Sequence, residues 1–342
     1  MDLTTPTAEQ LEDWIPIRLY WAGTEPMVDW CWLGDLRFTD PFFDQTVARA
    51  FRRPFSLLFR HQTSLDVLEQ MGKGVEPPAG FIFHASRCGS TLVSQMLAAV
   101  ESNIVISEAP PIDFVLRSTA DGKAIADEQR VQWLRWLIGV LGRSRGRAVR
   151  SYIKFDSWHV LHLPLLRRAF PDVPWIFIYR EPLEILVSHQ QQPGSQMVPG
   201  TLDPRPFGID PSGLREMPSD EYGARILAGI FEAAGIHARS DGGVLINYTQ
   251  LPEAVWSLFP QIFRGNHEGD DIERMQNAAR FHAKNPSLNF EPDSAQKREQ
   301  AGDRLAQLAR QWLQVPYESL EVLRQGQSRN GASGGCGADG LS

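Results

Sequence analysis

The residues with the clearest chemical potential lie in a short turn between an apolar run and a helical pattern. The run Gly80–His84 predicts a buried strand, and helical spacing begins at Ser90, so the chain forms a strand, a turn and a helix there. The first N–H groups of a helix have no internal partner and, together with the helix dipole, they attract anions. The turn contains glycine for close backbone approach, two hydroxyl donors and an arginine with its fork of donors. It therefore predicts an anion site formed by Ser86, Arg87, Cys88, Gly89, Ser90 and Thr91.

This turn differs from the phosphate loop of nucleoside-triphosphate hydrolases. Their GxxxxGK(S/T) pattern requires a lysine directly before the Ser or Thr, and Gly89 occupies that place. The lysine that would bind the terminal phosphates is therefore missing. Taken alone, the turn is also compatible with an ordinary strand–turn–helix that exposes Arg87 to solvent.

A second cation and hydroxyl follow the most apolar strand pattern of the chain. The run Pro174–Tyr179 predicts a strand, and Arg180 lies at its carboxyl end, where open α/β sheets bind ligands. Ser188 lies about two helical turns further on. Arg180 and Ser188 could bind one phosphate together. Alternatively, Arg180 forms an ion pair with Glu181 or Glu184 at the start of the helix.

Alternating strand and helix patterns position these residues. Helical spacing covers Ser90–Val100, Ala126–Leu141 and Trp158–Phe170, between apolar runs that predict strands. The predicted strands are Gly80–His84, Asn103–Ser107, Ser151–Phe155, Pro174–Tyr179 and Gly243–Tyr248. Such alternation predicts an α/β fold in three layers, with a parallel sheet covered by helices on both faces.

The segments outside this alternation define the domain organisation. Residues 1–78 are rich in aromatic residues and are predicted to be a small appendage, separated by a Pro- and Gly-containing linker from an α/β domain at residues 79–324. Residues 192–219 contain six prolines and are predicted to be a lid, a substrate loop or a disordered segment. Residues 325–342 are rich in Gly and Ser and are predicted to be a disordered tail.

Composition excludes several classes of protein. The chain has 342 residues, of which 42% are hydrophobic, and a net charge of −7, which argues against general binding to nucleic acid or to anionic membranes. Three scattered cysteines form neither a disulfide framework nor a metal motif. The N-terminus lacks the pattern of a secretory signal, and no apolar run is long enough to span a bilayer, so the expected location is the cytoplasm.

Both predicted anion segments together resemble the sulfotransferases that use 3′-phosphoadenosine-5′-phosphosulfate (PAPS). In that family a strand–loop–helix binds the 5′-phosphosulfate, and an Arg and a Ser eight residues apart bind the 3′-phosphate; Ser86–Thr91, Arg180 and Ser188 match in order and spacing. The resemblance covers residues 79–300 and implies a P-loop-type fold. Tyr248–Leu251 departs from the family's YEDL pattern by replacing its acidic pair.

The resemblance also implies roles for individual residues. Arg87, where many cytosolic members have lysine, is similar to the tyrosylprotein and bacterial branches, in which a glutamate after the second strand acts as base; Glu108 matches it. Lys154, at a strand end, is a candidate contact to sulfonate or acceptor, and Lys284 matches a late loop over the 3′-phosphate. PAPS would be the co-substrate, without a metal, and the acceptor a small molecule or peptide carrying a hydroxyl or amine.

Two other functions remain compatible with the sequence. One is a P-loop kinase or related nucleotide enzyme, against which the missing lysine counts. The other is a non-catalytic nucleotide-binding protein of the same fold, against which Glu108 counts. Preference for a 3′,5′-bisphosphate nucleotide over ATP would distinguish the first of these from a sulfotransferase.

Overall fold

The computed structural model describes residues 6–120, 123–265, 268–283, 285–289 and 294–333. Its strands are β1 (Trp14–Ala22), β2 (Glu25–Trp32), β3 (His61–Ser64), β4 (Gly80–His84), β5 (Asn103–Ser107), β6 (Thr119–Ala120), β7 (Lys123–Ala124), β8 (Arg150–Lys154), β9 (Trp175–Tyr179), β10 (Val244–Asn247), β11 (Phe281–His282) and β12 (Asn285–Asn289).

The α-helices include one of 22 residues and several of a single turn. They are α1 (Phe43–Ala50), α2 (Pro54–Leu58), α3 (Leu65–Gly72), α4 (Ser90–Ala99), α5 (Pro110–Arg117), α6 (Asp127–Gly142), α7 (Leu163–Ala169), α8 (Pro182–Gln191), α9 (Ser219–Ser240), α10 (Ala254–Ser257), α11 (Phe259–Ile262), α12 (Gly269–Ala279), α13 (Ser294–Glu299), α14 (Asp303–Leu308) and α15 (Gln314–Ser333). No helix among the described residues is long and apolar enough to cross a lipid bilayer.

A five-stranded parallel sheet flanked by helices confirms the predicted α/β fold. Its strand order is β10-β9-β4-β8-β5, with β4 in the centre. All residues of β4, β5 and β9 are buried, which is typical of parallel strands covered on both faces. From β4 the chain moves first to β5 and β8 on one side and then to β9 and β10 on the other. The carboxyl end of β4 is therefore a topological switch point, where such sheets bind ligands.

The chain divides into two compact units. Of the described residues, the first unit contains those within 1–83, 90–175 and 252–291, and the second contains those within 84–89, 176–251 and 292–342. In the first, α3 crosses α6 so closely that a Cβ at Gly72 would lie 2.4 Å from the Cα of Trp136. In the second, α9 buries a long apolar face, and Tyr179 of β9 donates a 2.5 Å hydrogen bond to Glu321 of α15.

Within residues 6–78, the strands form a separate antiparallel sheet with the order β1-β2-β3. The helices α1 and α2 lie between β2 and β3, and α3 follows β3. The indole of Trp30 donates to Thr63 across this sheet, and the indole of Trp21 donates to Ser118 just after α5. The aromatic residues of this segment therefore join its sheet to the helices of the first unit.

The predicted disordered tail is wrong over residues 325–333, because α15 continues to Ser333. The side chain of Gln327 accepts a hydrogen bond from the Leu245 N–H at 3.0 Å and donates to the Gly243 carbonyl at 2.7 Å. These bonds join the last turns of the helix to the start of β10. Residues 334–342 lie outside the described residues.

Candidate active site

We call Ser86–Gly89, which follow β4 and belong to the second unit, the anion loop. The predicted anion site, Ser86–Thr91, consists of this loop and the first two residues of α4. The N–H of Ser86 donates to Nδ1 of His84 at 3.0 Å, and the Cys88 thiol donates to the Ile178 carbonyl at 3.0 Å. The guanidinium of Arg87 donates to the Gln192 carbonyl. The loop is thus anchored at both ends, and Ser86, Arg87 and Gly89 remain partly accessible.

Backbone strain marks the two segments that were predicted to do chemistry. Within the described ranges, four non-glycine residues have a φ in the left-handed region: Ser86 (65°), Arg87 (49°), Glu108 (55°) and Arg264 (49°). This conformation is unfavourable for residues with a Cβ, and it occurs often at functional sites, where surrounding structure maintains it. Three of the four lie in the anion loop or at the predicted base.

Gly89 is needed where the loop enters the helix. Its φ is 86°, and a Cβ there would lie 2.9 Å from the ring of Tyr248 and 3.0 Å from Leu251. Ser90 and Thr91 follow as the first two residues of α4, and both are buried. The unpaired N–H groups at the start of a helix and these hydroxyls are suitable donors for a phosphate oxygen.

In the first unit, Glu108 forms an ion pair with Lys154. Glu108 follows β5, and Lys154 is the last residue of the neighbouring strand β8. The Lys154 ammonium donates to Oε1 of Glu108, and the Glu108 N–H donates to the Lys154 carbonyl at 2.8 Å. Lys154 is fully buried and lies 5.1 Å from the ring centre of Phe42, whereas Glu108 is 22% exposed. The pair therefore holds one partly accessible carboxylate at a strand end.

Three further residues adjoin this pair. Nε2 of His159 lies 2.8 Å from Oδ1 of Asp113, and Nδ1 of His159 accepts a hydrogen bond from the N–H of Asp156 at 3.3 Å. The indole of Trp158 donates to the same oxygen of Asp113 at 2.8 Å. We call Glu108, Lys154, Asp156, His159 and Asp113 the strand-end cluster.

Asp113, Asp156 and His159 each offer a metal-ligating atom, and these atoms lie within 4.8 Å of one another. Both ring nitrogens of His159 already take part in hydrogen bonds, one to Asp113 and one from Asp156. These bonds account for the grouping of the three residues without a metal ion. We therefore assign His159 a positioning role.

Two acids of the strand-end cluster, Asp156 and Asp113, have opposite pKa shifts. Burial raises the pKa of Asp156 to about 7, and the carboxylates of Glu108 and Asp113 add to this increase. Burial would also raise the pKa of Asp113, but hydrogen bonds from His159 and Trp158 lower it to about 2. Burial beside other cationic groups lowers the pKa of the nearby His162 to about 4.

The second unit holds a buried ion network around Arg180. Its Nε donates to Glu184 at 2.5 Å, and its guanidinium donates to Ser294 Oγ at 2.8 Å and lies 4.1 Å from the centre of the Tyr248 ring. Arg298 also donates to Glu184, at 2.9 Å. The alternative pairing of Arg180 with Glu184 is therefore present. We call Arg180, Glu184, Ser294 and Arg298 the arginine cluster.

Three further predictions concern Ser188, Lys284 and the proline-rich segment before α9. Ser188 lies half-buried on α8, one turn beyond Glu184. Lys284 lies outside the described residues. The proline-rich residues 192–218 contain three short 3₁₀ turns that precede α9, and Phe207 and Met197 pack against glycines of α9.

Two features of these sites were not predicted. The first is the place of Asp156 in the strand-end cluster. Asp156 lies two residues beyond Lys154, the end of β8, so its position beside the predicted site could have been read from the sequence. The contacts of Ser294 and Arg298 with Glu184 join residues 110 and 114 positions apart, and no local pattern indicates them.

No protein-family model and no curated protein matches the chain. Among solved structures, it is similar to sulfotransferase STF9 from Mycobacterium avium, with 15% identity, a TM-score of 0.44, and coverage of 73% of this chain and 79% of that one. It is also similar to the sulfotransferase domain of the Synechococcus PCC 7002 olefin synthase, with 15% identity, a TM-score of 0.41, and coverage of 75% and 96%. For sulfotransferase STF1 from Mycobacterium tuberculosis H37Rv the identity is 12%, the TM-score 0.40, and the coverage 61% and 76%. All three are weak similarities.

Proposed function

We propose that the protein is a sulfotransferase that moves a sulfuryl group from PAPS to a hydroxyl or amine of an acceptor. The observation that carries this proposal is the strained backbone of Ser86, Arg87 and Glu108, at the ends of β4 and β5. The first two belong to a loop that has arginine and glycine but lacks the lysine of nucleoside-triphosphate hydrolases. The third is a partly exposed carboxylate held by a buried lysine. This combination favours transfer of an anionic group to an acceptor whose proton must be removed.

The donor's 5′-phosphosulfate would bind the residues of the anion loop and the start of α4. The donor set fits a phosphate group, because N–H groups at Gly89, Ser90 and Thr91 and the Ser and Thr hydroxyls all donate hydrogen bonds. Arg87 would stabilise the negative charge that develops on the bridging oxygen. A guanidinium stays protonated in proteins and is a poor proton donor, so its contribution would be electrostatic.

Arg180 and Ser188, with Lys284, would bind the 3′-phosphate and select it over nucleotides that lack one. Arg180 already binds a carboxylate in Glu184, so the site is chemically suited to an anion. Part of the guanidinium's bonding to Glu184 and Ser294 would persist, orienting the side chain. The R180K variant would keep the charge but lose the planar fork.

The reaction would proceed by in-line transfer. The bond between sulfur and the bridging phosphate oxygen breaks as a bond forms between sulfur and the acceptor oxygen or nitrogen. The electron pair leaves with the phosphate, and Glu108 takes the acceptor proton. Lys154, which donates to Glu108, would hold the carboxylate in one orientation and could contact the sulfonate. We further propose that Arg87 and Glu108 relate the chain to the tyrosylprotein and bacterial branches.

Transfer of radiolabelled sulfate from PAPS into a cell extract tests the proposal directly. We expect a labelled product with the wild-type protein and none with a variant carrying both R87A and E108Q. Binding of adenosine 3′,5′-bisphosphate is measured in parallel with adenosine 5′-phosphate and ATP by calorimetry. We expect the bisphosphate to bind most tightly of the three. In R180K the ratio of its affinity to that of adenosine 5′-phosphate should fall roughly 10- to 100-fold, as for loss of a charged hydrogen bond. Preferential binding of ATP would instead indicate a kinase-like enzyme.

A further inference from the structure

The segment Arg52–Arg60, which contains the short helix α2, has an inverted pattern of burial. Ser56 is its one buried residue, at 1% exposure. By contrast, its large apolar side chains are exposed: Phe55 by 42%, Leu57 by 54%, Leu58 by 77% and Phe59 by 52%. Scattered exposed apolar residues are common on protein surfaces, but four within five positions form a patch of the kind found at interaction sites.

The segment is held in this orientation by its polar residue. Ser56 Oγ donates to the Trp32 carbonyl of β2 at 3.1 Å. The ring of Phe55 lies 4.7 Å from that of Trp32 and 4.8 Å from that of Phe59. The side chains of Leu57 and Leu58 are left to face outward. Folding of the described chain therefore does not account for the apolar character of this surface.

Positive charge borders the apolar patch on both sides. Arg52 and Arg53 precede it, Arg60 follows it, and the segment contains no acidic residue, although the whole chain has a net charge of −7. Arg53 pairs with Asp35 at 2.6 Å, whereas Arg52 and Arg60 are exposed, and Arg60 lies over the ring of Phe51. An apolar centre with a cationic border is the composition that binds at the surface of anionic membranes.

We propose that the Arg52–Arg60 segment inserts shallowly into the surface of an anionic lipid bilayer and attaches the protein there. Phe55, Leu57, Leu58 and Phe59 would enter the boundary between headgroups and acyl chains, and the arginines would contact the phosphate groups. A second copy of the chain is a poorer occupant, because a two-fold contact would bring the arginines of both copies together. The net charge of −7 argues against general membrane binding, but it describes the whole chain, whereas this segment is locally positive.

Co-sedimentation with lipid vesicles tests the proposal, and it does not depend on the transferase reaction. Vesicles of phosphatidylcholine alone are compared with vesicles of three parts phosphatidylcholine to one part phosphatidylglycerol, at low and high salt. We expect binding to the mixed vesicles, and weaker binding at high salt. L57S/L58S should lower the partition coefficient at least about tenfold, and R52Q/R60Q by roughly tenfold with loss of the preference for phosphatidylglycerol.

The matched control is V315S/V322S, which removes two apolar side chains of α15 that are 75% and 70% exposed. It should bind vesicles like the wild type, and thermal unfolding should confirm that all three variants fold. Three results would overturn the proposal: no vesicle binding by the wild type, equal binding to neutral and mixed vesicles, or a wild-type dimer in sedimentation that L57S/L58S dissociates. The last result would assign the patch to a second copy of the chain.

Discussion

The strand-end cluster and the arginine cluster contain the same kinds of charged group in opposite arrangements. In the strand-end cluster the cation, Lys154, is fully buried and the acid, Glu108, is 22% exposed. In the arginine cluster the acid, Glu184, is only 2% exposed, and the side chain of Arg298 that binds it is 63% exposed. An accessible carboxylate can reach a substrate proton, whereas a buried one can only orient its arginines. The two clusters are therefore suited to different tasks.

Backbone conformation separates the clusters in the same way. Glu108 has a φ of 55°, in the left-handed region, whereas neither Arg180 nor Glu184 has a positive φ. Strain of this kind costs on the order of 1–3 kcal/mol per residue and persists where the rest of the structure maintains it. We infer that the strained Glu108 sacrifices stability for function, whereas in the second cluster Glu184 keeps the buried Arg180 paired and oriented. Four predictions test this division.

The largest expected effect is on turnover in E108Q. Loss of the general base should lower kcat by about 10²–10⁴, with little change in the KM for the donor. The control is E101Q, because Glu101 precedes β5 at its opposite end and pairs with Arg274 at the surface. Steady-state kinetics on both variants decide the matter. Near-normal turnover in E108Q would show that Glu108 is not the general base.

For E184A the main expected effect is on stability. Removing this acid leaves Arg180 buried without its ion-pair partner, so the free energy of unfolding should fall by about 3–5 kcal/mol. R298A should cost less than about 1 kcal/mol, because that side chain is largely exposed to solvent. Urea denaturation of the two variants measures the difference. An E184A protein as stable as the wild type would show that other contacts hold Arg180.

The sequence predicts the central sheet well, and it predicts the pairings of the site poorly. The bounds of β4 and β5 agree to the residue, because fully buried parallel strands are continuous apolar runs with polar residues at both ends. The positions of Glu108 and Lys154 at strand ends were predictable for the same reason. Their ion pair was not, because it requires β8 to lie beside β5, and strand order leaves no local signal.

The sequence patterns did not predict α5 or the end of α15, two helical segments that depend on contacts with distant residues. The pair Pro110-Pro111 starts α5, although it resembles a loop, because proline is tolerated in the first turn of a helix. The end of α15 has a composition typical of disorder, yet Gln327 bonds to the backbone near β10. In both cases a contact with a distant residue, Trp158 with Asp113 or Gln327 with Leu245, supports a helix that local pattern does not indicate.

The pH dependence of stability should reveal two titrating groups of the first unit, Asp156 and His162. Asp156 has a pKa raised from 3.8 to about 7, so it binds a proton more tightly when folded, and its contribution to stability is lost as the pH rises through 7. His162 has a pKa lowered from 6.5 to about 4, so its contribution acts in the opposite direction and stability rises with pH between these values. The two slopes oppose each other in the wild type.

Single variants should separate these two slopes. Between about pH 5 and pH 7, D156N should gain stability relative to the wild type as pH rises, and H162Q should lose it, by at most about 1.4 kcal/mol per pH unit for each group. Asparagine keeps the helix-capping acceptor of Asp156, so the change isolates the charge. Urea denaturation across this pH range provides the measurement. Parallel curves for D156N and the wild type would mean that Asp156 does not titrate there.

The smallest expected effect distinguishes strain that serves function from strain that does not. Glycine adopts a positive φ without penalty, so S86G and R264G should each raise the free energy of unfolding by about 1 kcal/mol. Arg264 lies in neither the anion loop nor either cluster, so R264G should keep full activity. S86G should bind adenosine 3′,5′-bisphosphate more weakly, because a more mobile loop pays a larger ordering entropy when the anion binds. If S86G and R264G bind the bisphosphate equally well, the strain at Ser86 has no role in donor binding.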